Sequence, residues 1–366
     1  LHAFPIGTQA GQEAMRVPLR IPGRTAIVLP SFDPDELCRL VARFGVARLQ
    51  LVPAMAQMLV ASGAYRRHDV SSLRRVILSS APAPPALFTR LAQAFPQATL
   101  WNAYALTEAG PARTMAQWDP SRPAAVGRPV GETEVRIGDD GEIWLRRRGT
   151  PTRTYYRDPE ATAEVFVDGW VRTGDLGHLD ADGVLHLTDR KKDLVITGGA
   201  NVSPVEVENV LYEHPAVVEA AVVGIPHPVL GEDVVAAVVV RSPTTARELQ
   251  DLVRSRLAER KVPHRVLLLD ALPRNPSGKV VKARVRNLFA RDRPAASAPP
   301  RTEAEVAVAS VWEAVLDRPD VGVDDDFFDL GGHSLAAAQI AARLNLPVTA
   351  VFEAPTVAEL AARLRQ

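Results

Sequence analysis

The pattern of hydrophobic and polar positions in the first hundred residues switches repeatedly between one typical of β-strands and one typical of α-helices. Short apolar runs rich in β-branched residues predict strands, and helical periods between them predict helices: strands at 24–30, 49–53, 75–79 and 99–104, helices near 54–62 and 84–95. Asp33, followed by a proline and then by Glu36, is typical of a capped helix start. Strands that alternate with helices favour a parallel α/β sheet.

The pattern changes twice further along the chain. Residues 131–188 lose the helical period and show short apolar runs between Gly and Asp turns, which predicts antiparallel β structure. From residue 190 the pattern predicts a small α+β unit: helices at 203–214, 245–260 and 281–290, strands at 217–224, 234–241 and 265–270. The last 65 residues have a helical period throughout, with capping boxes at Thr302 with Glu305 and Thr356 with Glu359.

Composition narrows the class of protein. The 43 Lys and Arg residues balance the 43 Asp and Glu residues, so nucleic acid is not an expected partner. Cys38 is the single cysteine, which excludes a disulfide framework and a multi-cysteine metal site. No uninterrupted apolar stretch reaches about 18 residues, and no leader pattern is visible, so we expect a cytoplasmic protein that does not enter membranes.

Lysine is rare and confined to one region. Five of the 43 basic residues are lysines, and all five lie between residues 191 and 282. Because arginine supplies most of the positive charge elsewhere, the lysines are candidates for special roles.

A serine near the C-terminus lies in a distinctive setting. Residues 330–335 read Leu-Gly-Gly-His-Ser-Leu and open an amphipathic helix, whose N-terminus favours a phosphate. This string, with the acidic and aromatic residues before it, resembles the phosphopantetheine attachment site of carrier domains, in the form common in peptidyl carriers of nonribosomal synthetases. The resemblance implies that Ser334 carries a 4′-phosphopantetheine arm, added by a phosphopantetheinyl transferase.

Six further motifs occur upstream in one order. They are Asn-Ala-Tyr-Ala-Leu-Thr-Glu at 102–108, Gly-Glu-Ile at 141–143 with Tyr-Tyr-Arg-Asp-Pro at 155–159, Arg-Thr-Gly-Asp-Leu-Gly at 172–177, Asp-Arg-Lys-Lys-Asp at 189–193, Gly-Gly-Ala-Asn-Val-Ser-Pro at 198–204, and Pro-Arg-Asn-Pro-Ser-Gly-Lys at 273–279. Each alone is a weak signal. Together they resemble the adenylate-forming ligases, the family of acyl-CoA synthetases, luciferases and nonribosomal adenylation domains, over residues 1 to about 292.

The resemblance implies the domain organisation. We expect part of a large N-terminal domain with a parallel sheet and a β subdomain at 1–189, and a small mobile α+β lid domain at 190–293. A linker at 294–301 then leads to an all-α, four-helix carrier domain at 302–366.

The chemistry of the family explains the residue types in these motifs. A carboxylate attacks the α-phosphate of ATP and displaces pyrophosphate; it is already ionised near neutral pH, so no general base is needed. The remaining barrier is the approach of two anions, which positioned cations lower. The resemblance implies that Lys279 bridges the substrate carboxylate and the phosphate, that Glu108 holds Mg²⁺, and that Thr107 contacts a phosphate oxygen.

The same resemblance implies a nucleotide site and a moving domain. Tyr104 would stack on the adenine of ATP or AMP, Asp175 would take the ribose hydroxyls with help from Arg190, and Asn102 belongs to the same site. Acyl-AMP is then attacked by a thiol after the lid rotates about a hinge, here Lys192. Gly198 and Gly199 would line the pantetheine tunnel, where a missing side chain lets the arm approach.

One family feature is missing from the sequence. The family has a Gly/Ser/Thr-rich phosphate loop that ends in Lys, whereas residues 1–190 contain no lysine. We therefore expect an N-terminally truncated chain that lacks the phosphate loop and does not complete adenylation by itself.

The substrate class follows from a second departure. Amino-acid-activating relatives carry a Phe-Asp-x-Ser setting for the aspartate that pairs with the ammonium, whereas Asp33 is followed by Pro34 and Asp35. We expect a loading module of nonribosomal peptide or polyketide biosynthesis that activates a non-amino acyl or aryl acid, in a pocket walled by residues 79–82 and 105–106, and serves condensation or ketosynthase-type enzymes. The alternatives are an amino-acid-activating module and a non-catalytic fragment that only presents its carrier domain.

Overall fold

The computed structural model describes the chain except residues 6, 152, 228, 276–277, 292–297, 328–329, 331, 333 and 365–366. The first half of the predicted linker at 294–301, residues 294–297, therefore lies outside the described residues. None of the helices in the described ranges is long and apolar enough to cross a membrane.

A ten-stranded sheet organises the first 190 residues. Its strands are β1 (Arg48–Leu51), β2 (Arg75–Ser79), β3 (Thr99–Tyr104), β4 (Thr114–Gln117), β5 (Ala125–Pro129), β6 (Thr133–Ile137), β7 (Glu142–Arg147), β8 (Phe166–Val167), β9 (Trp170–Leu179) and β10 (Leu185–Arg190). The order is β1-β2-β3-β4-β5-β10-β9-β7-β6, with β8 paired to β9. Strands β1 to β3 are parallel, and the pairs from β3–β4 onward are antiparallel. The predicted parallel sheet with a β subdomain is confirmed.

Three helices pack on the parallel strands: α2 (Pro34–Phe44), α3 (Pro53–Ser62) and α4 (Pro85–Ala94). Helix α1 (Gln9–Arg20) precedes them in the chain, and α5 (Pro159–Val165) lies in the β subdomain. Alternate residues of the strands, such as Leu49, Leu51 and Leu78, are buried in one hydrophobic core with residues of α2, α3 and α4. The Asp33 carboxylate accepts the Glu36 N–H at 2.7 Å, which confirms the predicted cap of α2.

Two local predictions for this part were wrong, and one helix was missed. Residues 24–30 form only an isolated bridge. In the described chain their bridge partner is His2 alone, which donates to Ile27 and accepts from Leu29. Helix α1 was not predicted at all. Helix α5 interrupts the stretch expected to be all β, and it begins because the Asp158 carboxylate caps it through the Ala161 N–H at 3.0 Å.

A second, five-stranded sheet forms the small domain, residues 195–291. Its elements are β11 (Val195–Thr197), β12 (Ala200–Val202), α6 (Pro204–Leu211), β13 (Val217–His227), β14 (Gly231–Val240), α7 (Ala246–Arg256), β15 (Arg265–Leu269) and α8 (Lys282–Arg291). The order is β12-β11-β14-β13, with β15 parallel to β14. Helices α6 and α7 end three to four residues earlier than predicted, and β13 and β14 are longer.

The C-terminal part contains four helices in the described residues. They are α9 (Glu303–Leu316), α10 (Ser334–Leu344), α11 (Val348–Glu353) and α12 (Val357–Leu364). They share a core that includes Trp312, Phe327 and Ile340. Both predicted capping boxes are present, since each threonine hydroxyl accepts the N–H of its glutamate and each glutamate carboxylate accepts the N–H of its threonine.

Candidate active site

A cleft of about 1500 Å³ lies between the large sheet and the small domain. Its walls include Asn102, Tyr104, Thr107, Glu108, Asp175 and Arg190 of the large part and Lys279 of the small domain. The structure therefore brings seven of the predicted site residues to one cleft. Residues 79–82 and 105–106, the predicted walls of the acyl pocket, line the same cleft.

Asp175 lies at the centre of a buried hydrogen-bond network. One carboxylate oxygen accepts the Tyr104 hydroxyl at 2.7 Å, and the other accepts the Arg190 guanidinium at 2.8 Å. The side chain of Asp175 is only 6 % exposed. Burial and the neighbouring Asp175 carboxylate raise the pKa of Tyr104, so its phenol stays a donor. A carboxylate offers about four acceptor positions, so Asp175 keeps capacity for ribose hydroxyls.

Glu142 fixes the segment that carries Asp175. Its carboxylate is 3 % exposed, accepts the Gly174 N–H at 2.9 Å, and pairs with Arg172 at 2.7 Å. The Thr173 hydroxyl adds a bond of 2.6 Å to the Ile143 carbonyl. Sequence reasoning assigned no role to the Gly-Glu-Ile motif; a glutamate inside an apolar strand was the available signal.

Lys279 reaches the cleft from the opposite side. Desolvation in the cleft, and then the Arg190 guanidinium, lower the pKa of Lys279, while the carboxylates of Asp175 and Glu108 act in the other direction. The loop that carries it is held by the Arg274 guanidinium, which donates to the Gly278 carbonyl at 2.6 Å and pairs with Glu219. The ammonium thus lies within electrostatic range of Glu108, the predicted Mg²⁺ ligand, and of Asp175, the predicted ribose ligand.

Glu108 supplies the oxygen chemistry that Mg²⁺ prefers. Its carboxylate accepts the Tyr155 hydroxyl at 3.0 Å. Within the described ranges, no group of three or more His, Cys, Asp or Glu side chains is arranged to hold a metal ion. A site of this kind fits an ion that is bound mainly by substrate phosphates and by one carboxylate.

Asp189 connects the cleft to the small domain. Its buried carboxylate accepts the Ser203 hydroxyl and, at 3.2 Å, the Val205 N–H at the start of α6. A carboxylate at a helix N-terminus is favoured by the exposed N–H groups there. Sequence reasoning placed Asp189 in a motif but gave it no role.

Four predicted residues lie elsewhere. Gly198 and Gly199 form the hairpin turn between β11 and β12, with φ of 55° and 80°, outside the lining of the cleft. Lys192 is exposed on a 3₁₀ turn at 191–193, between the two sheets. Ser334 is the first residue of α10.

Three parts of the chain match known protein families. Residues 1–156 match the AMP-binding enzyme family, residues 206–279 match the AMP-binding enzyme C-terminal domain, and residues 306–364 match the phosphopantetheine attachment site family. The chain belongs to the adenylate-forming, AMP-binding enzymes. Its C-terminal helices are a phosphopantetheine carrier domain. The family assignment brings ATP or AMP with Mg²⁺ as cofactors of the first part and 4′-phosphopantetheine as that of the carrier domain.

Individual relatives are acid–CoA ligases by name. The chain is 36 % identical over 306 residues to a feruloyl-CoA synthase of Amycolatopsis, covering 79 % of this chain and 61 % of the relative. It is 39 % identical over 272 residues to a Mycobacterium tuberculosis ligase of a methyl-dioxo-octahydroindenyl propanoyl group to CoA, covering 73 % of this chain and 54 % of the relative. The chain thus spans between half and two thirds of the length of these relatives.

Solved structures show the same fold. The amide bond synthetase McbA of Marinactinospora thermotolerans superposes with a TM-score of 0.72 at 37 % identity, covering 79 % of this chain and 60 % of McbA. ATP-bound MatB of Rhodopseudomonas palustris gives a TM-score of 0.70 at 33 % identity, covering 79 % of this chain and 59 % of MatB.

Proposed function

We propose that the protein containing this chain activates a carboxylic acid as its acyl adenylate and transfers it as a thioester to the phosphopantetheine arm on Ser334. The observation that carries the proposal is the placement of Lys279 opposite Asp175 and Glu108 in one cleft. A compact ammonium between a nucleotide site and a phosphate site is suited to hold two anions together.

The reaction has two steps. In the first, a carboxylate oxygen of the acid bonds to the α-phosphorus of ATP, and the bond from that phosphorus to pyrophosphate breaks. Lys279 offsets the repulsion between the two anions, and the network of Tyr104 and Asp175 holds the nucleoside. Mg²⁺, when bound, neutralises phosphate charge beside Glu108. In the second step the pantetheine thiolate bonds to the acyl carbon and AMP leaves.

The second step requires a different contact surface. Gly198 and Gly199 lie outside the lining of the cleft in the present arrangement, and Lys192 lies on the exposed connection between the two sheets. We propose rotation of the small domain about Lys192, which would exchange Lys279 for the hairpin of Gly198 and Gly199. Replacing Lys192 with proline should spare adenylate formation and slow thioester transfer.

The proposed substrate class is a carboxylic acid other than an amino acid. Asp33 caps α2 and is not among the residues that line the cleft. The names of the two relatives specify an aryl and an alicyclic acyl group, which supports an acyl or aryl acid as the substrate here. Because the chain has a carrier domain, we propose that the protein is a cytoplasmic loading module that serves a downstream condensation or ketosynthase-type enzyme.

Intact-mass measurement of the full-length, pantetheinylated protein tests the proposal. After incubation with ATP and a panel of acyl, aryl and amino acids, we expect a mass increment from one non-amino acid and none for Ser334→Ala. An increment from an amino acid supports the amino-acid-activating alternative. If the arm is attached and no acid adds mass, the chain only presents its carrier domain.

A further inference from the structure

The segment 153–155 contacts the turn that carries Glu108 on two sides. The Arg153 guanidinium donates to the Thr107 carbonyl at 2.8 Å and also to the Gly110 carbonyl. The Tyr155 hydroxyl donates to a carboxylate oxygen of Glu108 at 3.0 Å, across 47 positions of sequence. A short segment with no assigned role thus holds both the backbone and the side chain of the candidate metal-binding turn.

Tyr155 is itself fixed in place. Its backbone N–H donates at 2.9 Å to the hydroxyl of Thr162, a residue in the middle of α5. Its ring packs against Phe166 with a centroid distance of 5.4 Å and an interplanar angle of 61°. Helix α5, through Thr162, and β8, through Phe166, therefore anchor the phenol before any ligand binds.

The direction of the hydrogen bond is determined by chemistry. Near neutral pH an ordinary phenol still has a proton to donate, whereas a carboxylate can only accept. The Tyr155 phenol therefore donates and the Glu108 carboxylate accepts.

We propose that Tyr155 and Arg153 are positioning residues that hold Glu108 in its cation-binding geometry. The inference rests on the proposed function and adds to it the residues that maintain the metal–phosphate site. A glutamate side chain loses rotamer freedom when it binds a cation, so a partner that orders it beforehand strengthens binding. The hydrogen bonds from Arg153 keep the turn in place when Glu108 binds a cation.

The test compares two adjacent tyrosines in the full-length protein. Tyr155→Phe removes the hydroxyl and keeps the ring, while Tyr156→Phe makes the same change at a side chain that is 84 % exposed. We expect Tyr155→Phe to raise the Mg²⁺ concentration for half-maximal ATP–pyrophosphate exchange about tenfold, the size typical of a bond to a charged group. At saturating Mg²⁺ the rate should return to within about twofold of the wild type, and Tyr156→Phe should match the wild type.

A second measurement does not depend on turnover. Mg²⁺ should raise the thermal midpoint of the ATP-containing wild-type protein at lower concentrations than it does for Tyr155→Phe. Arg153→Gln should behave like Tyr155→Phe, and Arg157→Gln, an exposed arginine in the same motif, should not.

The outcomes separate this inference from the proposed function. An unchanged Mg²⁺ midpoint in Tyr155→Phe overturns the positioning role, as does an equal loss of rate at every Mg²⁺ concentration. If the wild-type protein shows no exchange with any acid, adenylation fails, and the thermal measurement still decides the role of Tyr155. If Mg²⁺ and ATP do not stabilise the wild type, both are overturned.

Discussion

The Tyr104 hydroxyl bonds to the Asp175 carboxylate at 2.7 Å, although 71 positions separate the two residues in the sequence. Tyr104 ends β3 of the parallel strands, and Asp175 lies within β9 of the antiparallel strands. The bond therefore joins the two halves of the large sheet at the cleft, and it orders the carboxylate that we propose for the ribose. Tyr104 therefore has a structural role in addition to its proposed contact with adenine.

Replacing Tyr104 with phenylalanine tests this structural role. Asp175 is buried and would lose one donor while it keeps Arg190, so the free energy of local opening should fall by about 1–2 kcal/mol. Native-state hydrogen exchange of β3 and β9 measures this loss. Tyr156→Phe is the control, and equal protection in the two variants would contradict the prediction.

Lys279 should impose an upper pH limit on adenylate formation. The protonated ammonium is the active form, so the rate is retained below the pKa of Lys279 and declines as pH rises through it. Because desolvation and Arg190 lower this pKa, the decline should begin at a lower pH than an ordinary lysine would give. ATP–pyrophosphate exchange of the full-length protein against pH measures it.

Lys279→Arg should reduce the exchange rate by at least about a hundredfold, although the charge is retained. A planar guanidinium occupies more space between two anions and stays protonated, so the alkaline decline should also disappear. Lys261→Arg is the control, because Lys261 pairs with Glu206 outside the lining of the cleft. A normal rate for Lys279→Arg would refute the assigned role.

Asp189 should couple the small domain to the cleft. Asp189→Ala removes the acceptor of the Ser203 hydroxyl and the Val205 N–H, so α6 should lose about 1–2 kcal/mol of protection in hydrogen exchange. Asp139→Ala, at an exposed turn of the β subdomain, should leave α6 unchanged. Equal protection of α6 in both variants would show that Asp189 does not hold it.

Gly332 in the carrier domain should tolerate no side chain. A Cβ there would lie 2.4 Å from the Phe327 ring and 2.4 Å from its carbonyl oxygen, and the Gly332 N–H already donates to that oxygen at 2.7 Å. Gly332→Ala should therefore destabilise the domain by about 1–3 kcal/mol. Because Gly332 lies two residues before Ser334, attachment of the arm by a phosphopantetheinyl transferase should also slow, as intact mass would show.

A double variant separates the two parts of this contact. Phe327→Leu removes the ring atoms but not the carbonyl, so Gly332→Ala with Phe327→Leu should recover only part of the attachment rate. A wild-type rate of arm attachment in Gly332→Ala alone would contradict the prediction.

The sequence by itself determined the features that neighbouring residues encode. Helix caps such as Asp33 and Thr302 need only a side chain and an N–H three residues away, so their motifs predict them directly. Short apolar runs likewise predicted β2 and β3 to the residue. The motif order indicated the family and the residues of the cleft before any distance was known.

Only the tertiary structure decided which of these residues meet. The strand expected at 24–30 failed because strand pairing depends on a partner, and His2 alone does not make a ladder. The contacts of Tyr155 with Glu108 and of Glu142 with Gly174 join positions 47 and 32 residues apart. Such contacts depend on how the sheets pack and register, which no local pattern encodes. The sequence therefore predicted the candidate reacting groups, and packing selected the residues that hold them in place.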